Sequence, residues 1–145
     1  MRVLDTALLQ VLEAYRAAVY AKDVDAFVAL YDENVRVFDM WGIWSHRGIG
    51  AWRAVAAGWF DSLGSERVLV EFGDAQVNVA QDLAVVHVFV VYRAVSAKGA
   101  NLRSMTNRMT LALKQAAGAW KIVHEHTSAP VDHATAKVIL SKVFD

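Results

Sequence analysis

The chain is predicted to be an α+β protein in which three helices pack on a strongly bent, mostly antiparallel sheet. Up to Ser62 the apolar residues recur at helical spacing, interrupted by one short alternating run. From Glu66 onward they alternate with period two, in long runs joined by turn residues. Long strands with tight connections make an antiparallel meander, and helices placed before it cover one face.

The elements follow in order. Asp5 or Thr6 is placed to cap a first helix whose Leu8, Val11, Leu12, Tyr15, Ala18 and Val19 lie on one stripe. Asp23 caps a second, with Val24, Phe27, Leu30 and Tyr31 on its apolar face. Val35–Met40 alternates as a strand, and an aromatic-rich loop runs from Trp41 to Arg47. A third helix spans Gly48–Ser62 and buries Trp52, Val55, Ala56 and Trp59. Strands are expected at Arg67–Ala80, Ala84–Ser96, Leu102–Lys114 and Trp120–Ser128. Turn chemistry separates them at Gln81-Asp82, Lys98-Gly99 and Ala117-Gly118. Residues 132–143 fit either a short helix or an ordered tail.

Bulk properties set limits. The 145 residues fit one domain, 1–145, large enough for a real core, and 56% hydrophobic with 21% charged residues is a globular composition. Lys plus Arg and Asp plus Glu number 15 each, so no basic excess points to nucleic acid or to a membrane surface. Near-zero net charge offers little repulsion against self-association. Without cysteine there is no disulfide, thiolate zinc site or Cys nucleophile. The opening Met-Arg-Val-Leu-Asp-Thr has an acid where a signal peptide has its apolar core, and a cytoplasmic address is expected.

Two stretches carry a family resemblance: Ala21-Lys-Asp-Val-Asp-Ala-Phe-Val-Ala-Leu-Tyr-Asp-Glu-Asn-Val35, and Trp120-Lys-Ile-Val-His-Glu-His-Thr-Ser-Ala-Pro130. With the element order they resemble the SnoaL-like group of the NTF2-like superfamily, whose cystatin-like cone encloses a pocket. Its members include isomerases, hydrolases, dehydratases, transport factors and oligomerisation modules, so the resemblance implies a fold more than a chemistry. In the related ketosteroid isomerases a Tyr on the first helix and an Asp on the first strand share the active site. Tyr15 and Asp39 take those places here, implying a hydrogen-bond donor and a base for cofactor-independent proton transfer. Two features of those enzymes are missing: Met40 replaces the proline that commonly follows the base, and the later strands offer His87, Tyr92 or Asn107 but no acid as third partner. The last strand is also similar to that of the association domain of calcium/calmodulin-dependent kinase II. A pocket arginine there is Thr127 here, which implies that Glu125 and Thr127 face the cavity.

Each candidate has a plainer role. Alternation puts Asp39 on the face of Val35 and Val37, inward, yet it could instead cap a turn near Gly42. Tyr15 is first a core residue whose hydroxyl needs a partner. Trp41, Trp44 and Trp59 could line an apolar cavity for a hydrophobic, ring-containing ligand, with His87 beside them, or serve as ordinary packing. His124 and His126 share a strand face, but no third ligand has diagnostic spacing, so no metal is assigned. Strict alternation groups Trp120 with His124 and His126 on one sheet face, and the resemblance to the kinase association domain implies that this face is the outer one, which would suit a homodimer contact. The expected partner is therefore a small hydrophobic molecule, with no cofactor. The alternative is a non-catalytic binding or oligomerisation module.

Overall fold

In the computed structural model, residues 3–142 are described, with side chains from Thr6 onward. The order is α1 (Val3–Ala21), α2 (Val24–Val28), β1 (Tyr31–Phe38), β2 (His46–Arg47), α3 (Gly48–Ser62), β3 (Arg67–Ala80), β4 (Leu83–Val95), β5 (Asn101–Ala116) and β6 (Ala119–Ser128). One curled sheet holds all six strands in the order β2-β1-β6-β5-β4-β3. Every neighbouring pair is antiparallel except β1 with β6, which run parallel. The third helix therefore follows two strands instead of preceding the whole sheet.

Helix α1 buries Leu8, Leu12, Tyr15, Ala18 and Val19, the expected stripe. It begins at Val3, upstream of the expected cap at Asp5 or Thr6, and the Asp5 side chain lies outside the described residues. Its end is set by Lys22, whose φ of 54° lets the Asp23 N–H reach the Ala18 carbonyl. Asp23 then caps α2 by accepting from Ala26 N–H at 3.0 Å. That helix stops at Val28, so Tyr31 opens β1 and does not belong to a helical stripe.

Bulges decide which side chains face inward. Between Gly73 and Gln76, β3 carries an extra residue with Asp74 at φ 53°. The inward set accordingly changes from Val68 and Val70 to Val77 and Val79. In β6, Leu113 pairs with Ile122 and Ala112 with His124, leaving Val123 as the extra residue. Trp120 and Ile122 thus point into the core together with Glu125 and Thr127. This corrects the expected outer-face grouping: Trp120 is only 7% exposed and cannot make a sheet-face contact, whereas His126 is exposed on the outer surface.

Residues 130–140 form an ordered tail. A bridge joins Val131 to Val138, Asp132 accepts from the N–H groups of Ala134 and Thr135, and the Leu140 carbonyl accepts from Thr106 N–H at 2.7 Å. Among the described residues no helix is long and apolar enough to cross a membrane.

Candidate functional site

The inner sheet face is apolar towards one end, where Val86, Leu111, Leu113 and Ile122 pack on the helices. Towards the other end its inward residues become Tyr92, Asn107, Glu125 and Thr127, and a cavity of about 510 Å³ opens against α3. That volume lies within the range of small-molecule sites. Trp52, Val55, Ala56 and Trp59 supply the α3 wall, Tyr15 and Phe27 come from the first two helices, and Leu140 reaches in from the tail.

Asp39 lies just past β1 and lines this cavity. Val35 and Val37, the inward residues before it, are fully buried, so the expected phase of the strand is correct. The turn role is present too, since Asp39 Oδ1 accepts from Trp41 N–H at 3.2 Å. His46 on β2 places Nε2 at 3.6 Å from Asp39 Oδ2, with the two side chains 11% and 12% exposed. The ring of His46 lies 5.5 Å from that of Trp52, and Nε2 makes no hydrogen bond.

Glu125 is a second acid at this cavity. It is buried at the cavity wall and accepts from the Tyr31 hydroxyl at 2.6 Å. Burial pushes its carboxyl up to about 7, the Tyr31 hydrogen bond holds it down in part, and the negative charge of Asp39 adds to the rise. The same burial, with the Glu125 charge next in effect, holds the Tyr31 hydroxyl well above its ordinary range. Tyr15 and Tyr92 share a hydrogen bond of 2.8 Å between their hydroxyls. Both are pushed upward, first by burial, so both stay protonated at neutral pH. One hydrogen bond between two hydroxyls leaves one O–H proton uncommitted, and that proton can be donated to a ligand.

Of the residues singled out from the sequence, Asp39, Tyr15, Trp41, Trp59, Glu125 and Thr127 all line the cavity. Trp41 stands at its mouth, 53% exposed. Two do not belong. Trp44 is 95% exposed and borders a second groove with Arg36, Phe38 and His126 from the outer sheet face, which shares Asp39 with the cavity. His87 is exposed on the outer face, paired across to Gln76 and Thr110, because the inward phase of β4 runs through Val86 and Val88. Tyr31 and His46 were not assigned roles from the sequence. A tyrosine just after a short helix reads as helical packing, and a histidine in an apparent loop has no periodicity to place it. Among the described residues no group of three or more His, Asp or Glu is arranged to hold a metal ion.

The profile of the SnoaL-like domain matches residues 8–132, and the chain belongs to that family. Solved structures share the fold. An NTF2-like protein of unknown function from Pseudomonas putida KT2440 superposes with a TM-score of 0.84 at 24% identity, covering 97% of this chain and 96% of that one. ActVI-ORFA from Streptomyces coelicolor gives 0.77 at 13% identity, over 88% and 97%. A candidate calcium/calmodulin-dependent protein kinase II association domain from Xanthomonas campestris gives 0.72 at 14%, over 85% of each chain. At these identities the likeness establishes the fold. No curated protein matches the chain.

Proposed function

We propose that the protein binds a hydrophobic, ring-containing small molecule in the α3–sheet cavity and transfers a proton on it without a cofactor. The observation that carries this reading is the convergence of Asp39, Glu125 and the Tyr15–Tyr92 hydroxyl pair on one aromatic-walled cavity. Asp39 acts as the base that takes a proton from carbon next to a carbonyl. The free hydroxyl proton of the Tyr15–Tyr92 pair holds the oxygen that gains charge, as a preorganised donor on buried side chains. Asp39 then gives the proton back to carbon, which closes the cycle, and Glu125, pushed up to about 7 by burial, sets the charge beside it. Aromatic side chains at Trp41, Trp52 and Trp59 bind the ring.

The test is a thermal-shift screen of hydrophobic ring compounds, followed by deuterium exchange into the ring ketones that bind, read by NMR. Catalysed exchange is expected, and Asp39→Asn should slow it by about two orders of magnitude or more. Binding without exchange would leave a binding protein and defeat the proton-transfer reading. Absence of any stabilising compound would count against the cavity as a ligand site.

The second reading is an association module built on the outer sheet face. It draws on the exposed β6 surface, where His124 and His126 stack edge-on against Phe38 with ring centres 4.9 and 5.5 Å away. In this reading the protein is a homodimer through that face, without catalysis.

A further inference from the structure

We propose that the ligand of this cavity carries a protonated nitrogen on its hydrophobic framework, and that the cavity rejects carboxylates and phosphates of similar shape. The proposal rests on the reading of the cavity as a site for a ring compound and adds the charge of that compound.

The argument begins with the charges that face the cavity. Asp39 and Glu125 come from different strands and are both largely buried, so two carboxyl groups share one poorly solvated space. Among the described residues, Arg103 is the one cationic side chain of the lining. It is 61% exposed and already paired with Glu66 at 2.7 Å, so its charge is neutralised at the rim. His46 meets Asp39 and the Trp52 ring from β2 and is not part of the lining. The groups around Glu125 are the hydroxyls of Tyr31, Tyr15 and Tyr92 and the carboxylate of Asp39. Its strand neighbours Val37 and Leu111 bring no charge. An anionic ligand would meet this arrangement without a counter-charge, at a cost that low dielectric magnifies.

Two further features of the lining suit a cation. Asn107 lines the cavity at 4% exposure, and its Oδ1 has no hydrogen-bond partner. A buried acceptor left open in a binding site fits an N–H donor on the ligand. The walls also include the aromatic rings of Trp41, Trp52, Trp59 and Tyr92, and an aromatic ring attracts a cation placed over its face. Three oxygen acceptors inside an aromatic enclosure make a site for an ammonium group on a ring compound.

Ionised Glu125 is the form that attracts a cation. Its carboxyl titrates at about 7, so binding strengthens as pH rises through that value, and uptake of the cation releases a proton.

The test uses three probes of one shape: 1-naphthylmethylamine, 1-naphthalenemethanol and 1-naphthoate, titrated calorimetrically into the full chain at about pH 6 and about pH 8. The amine stays protonated across that range. At the higher pH it is expected to bind about tenfold or more tightly than the alcohol, with the advantage shrinking at the lower pH and naphthoate not binding. Glu125→Gln should abolish the pH dependence of the amine. Asp39→Asn, as a second variant, should weaken the amine by a larger factor than the alcohol. A variant that loses the alcohol as well has lost the site, and the pH series on the unaltered protein then decides. Alcohol or naphthoate binding as tightly as the amine would overturn the charge assignment and leave the ring-compound reading intact. Binding by none of the three would overturn both.

Discussion

Glu125 places an ionisable carboxyl where folding disfavours its charge. Its folded value of about 7 lies above the ordinary 4.5, so the native state holds a proton that the unfolded chain has already released between those values. The stabilisation is fully present below about 4.5 and is lost as pH rises through about 7. For a group this buried, the loss is on the order of 3 kcal/mol. Urea denaturation at several pH values should show the decline, and Glu125→Gln should flatten it, leaving the variant more stable than the parent at about pH 8. A parallel decline in the variant would mean that another group is responsible. Tyr31 acts in the opposite direction, since its hydroxyl favours the charged carboxylate. In Tyr31→Phe the Glu125 titration should move upward, as read by carbon-detected NMR of the labelled carboxyl. Tyr15→Phe leaves the Tyr92 hydroxyl without its partner and should cost about 1–2 kcal/mol in chemical denaturation.

At the scale of elements, what could be read in the sequence depended on regularity. Strand β3 has the expected limits because turn residues bound it, despite the bulge at Asp74, and helix α3 because its periodicity runs unbroken. Asp39 was legible for the same reason: Val35 and Val37 fix its phase. The β6 run was not, because a single extra residue at Val123 shifts the phase between Ile122 and Glu125. Alternation alone therefore joined Trp120 to the histidines, while the resemblance to the kinase association domain put Glu125 and Thr127 in the cavity. Tyr31 was missed because α2 has only five residues and the chain passes directly into β1. The β5–β6 hairpin offers a clean test of turn chemistry. Its two-residue loop has Ala117 at φ 51° and Gly118 at φ 79°, the signs of a type I′ turn. Alanine is strained there, so Ala117→Asn should raise stability by about 1 kcal/mol in thermal or urea unfolding. No gain would show that the turn relaxes in solution.

For the whole molecule, the curled sheet has two faces of different character. Its concave side holds the core and the cavity, and its outer side displays His87, His126 and Thr110. Substitutions on the two sides should consequently separate in their effects. Trp120→Ala removes a buried side chain and should cost about 3–5 kcal/mol without changing assembly. His126→Ala should leave stability nearly intact and, if the outer face joins two copies, shift the sedimentation coefficient towards monomer. Unchanged sedimentation would remove the outer face as the contact.

The central claim is that Asp39, Glu125 and the Tyr15–Tyr92 pair form one ligand site inside the cone. A crystal structure with a bound ring compound from the thermal-shift screen tests it most directly. The account predicts the ring against Trp52 and Trp59, with a polar atom in hydrogen-bond reach of Asp39, Glu125 or the hydroxyl pair. A ligand seated in the outer groove of Phe38, Trp44 and His126, with the inner cavity empty, would contradict it.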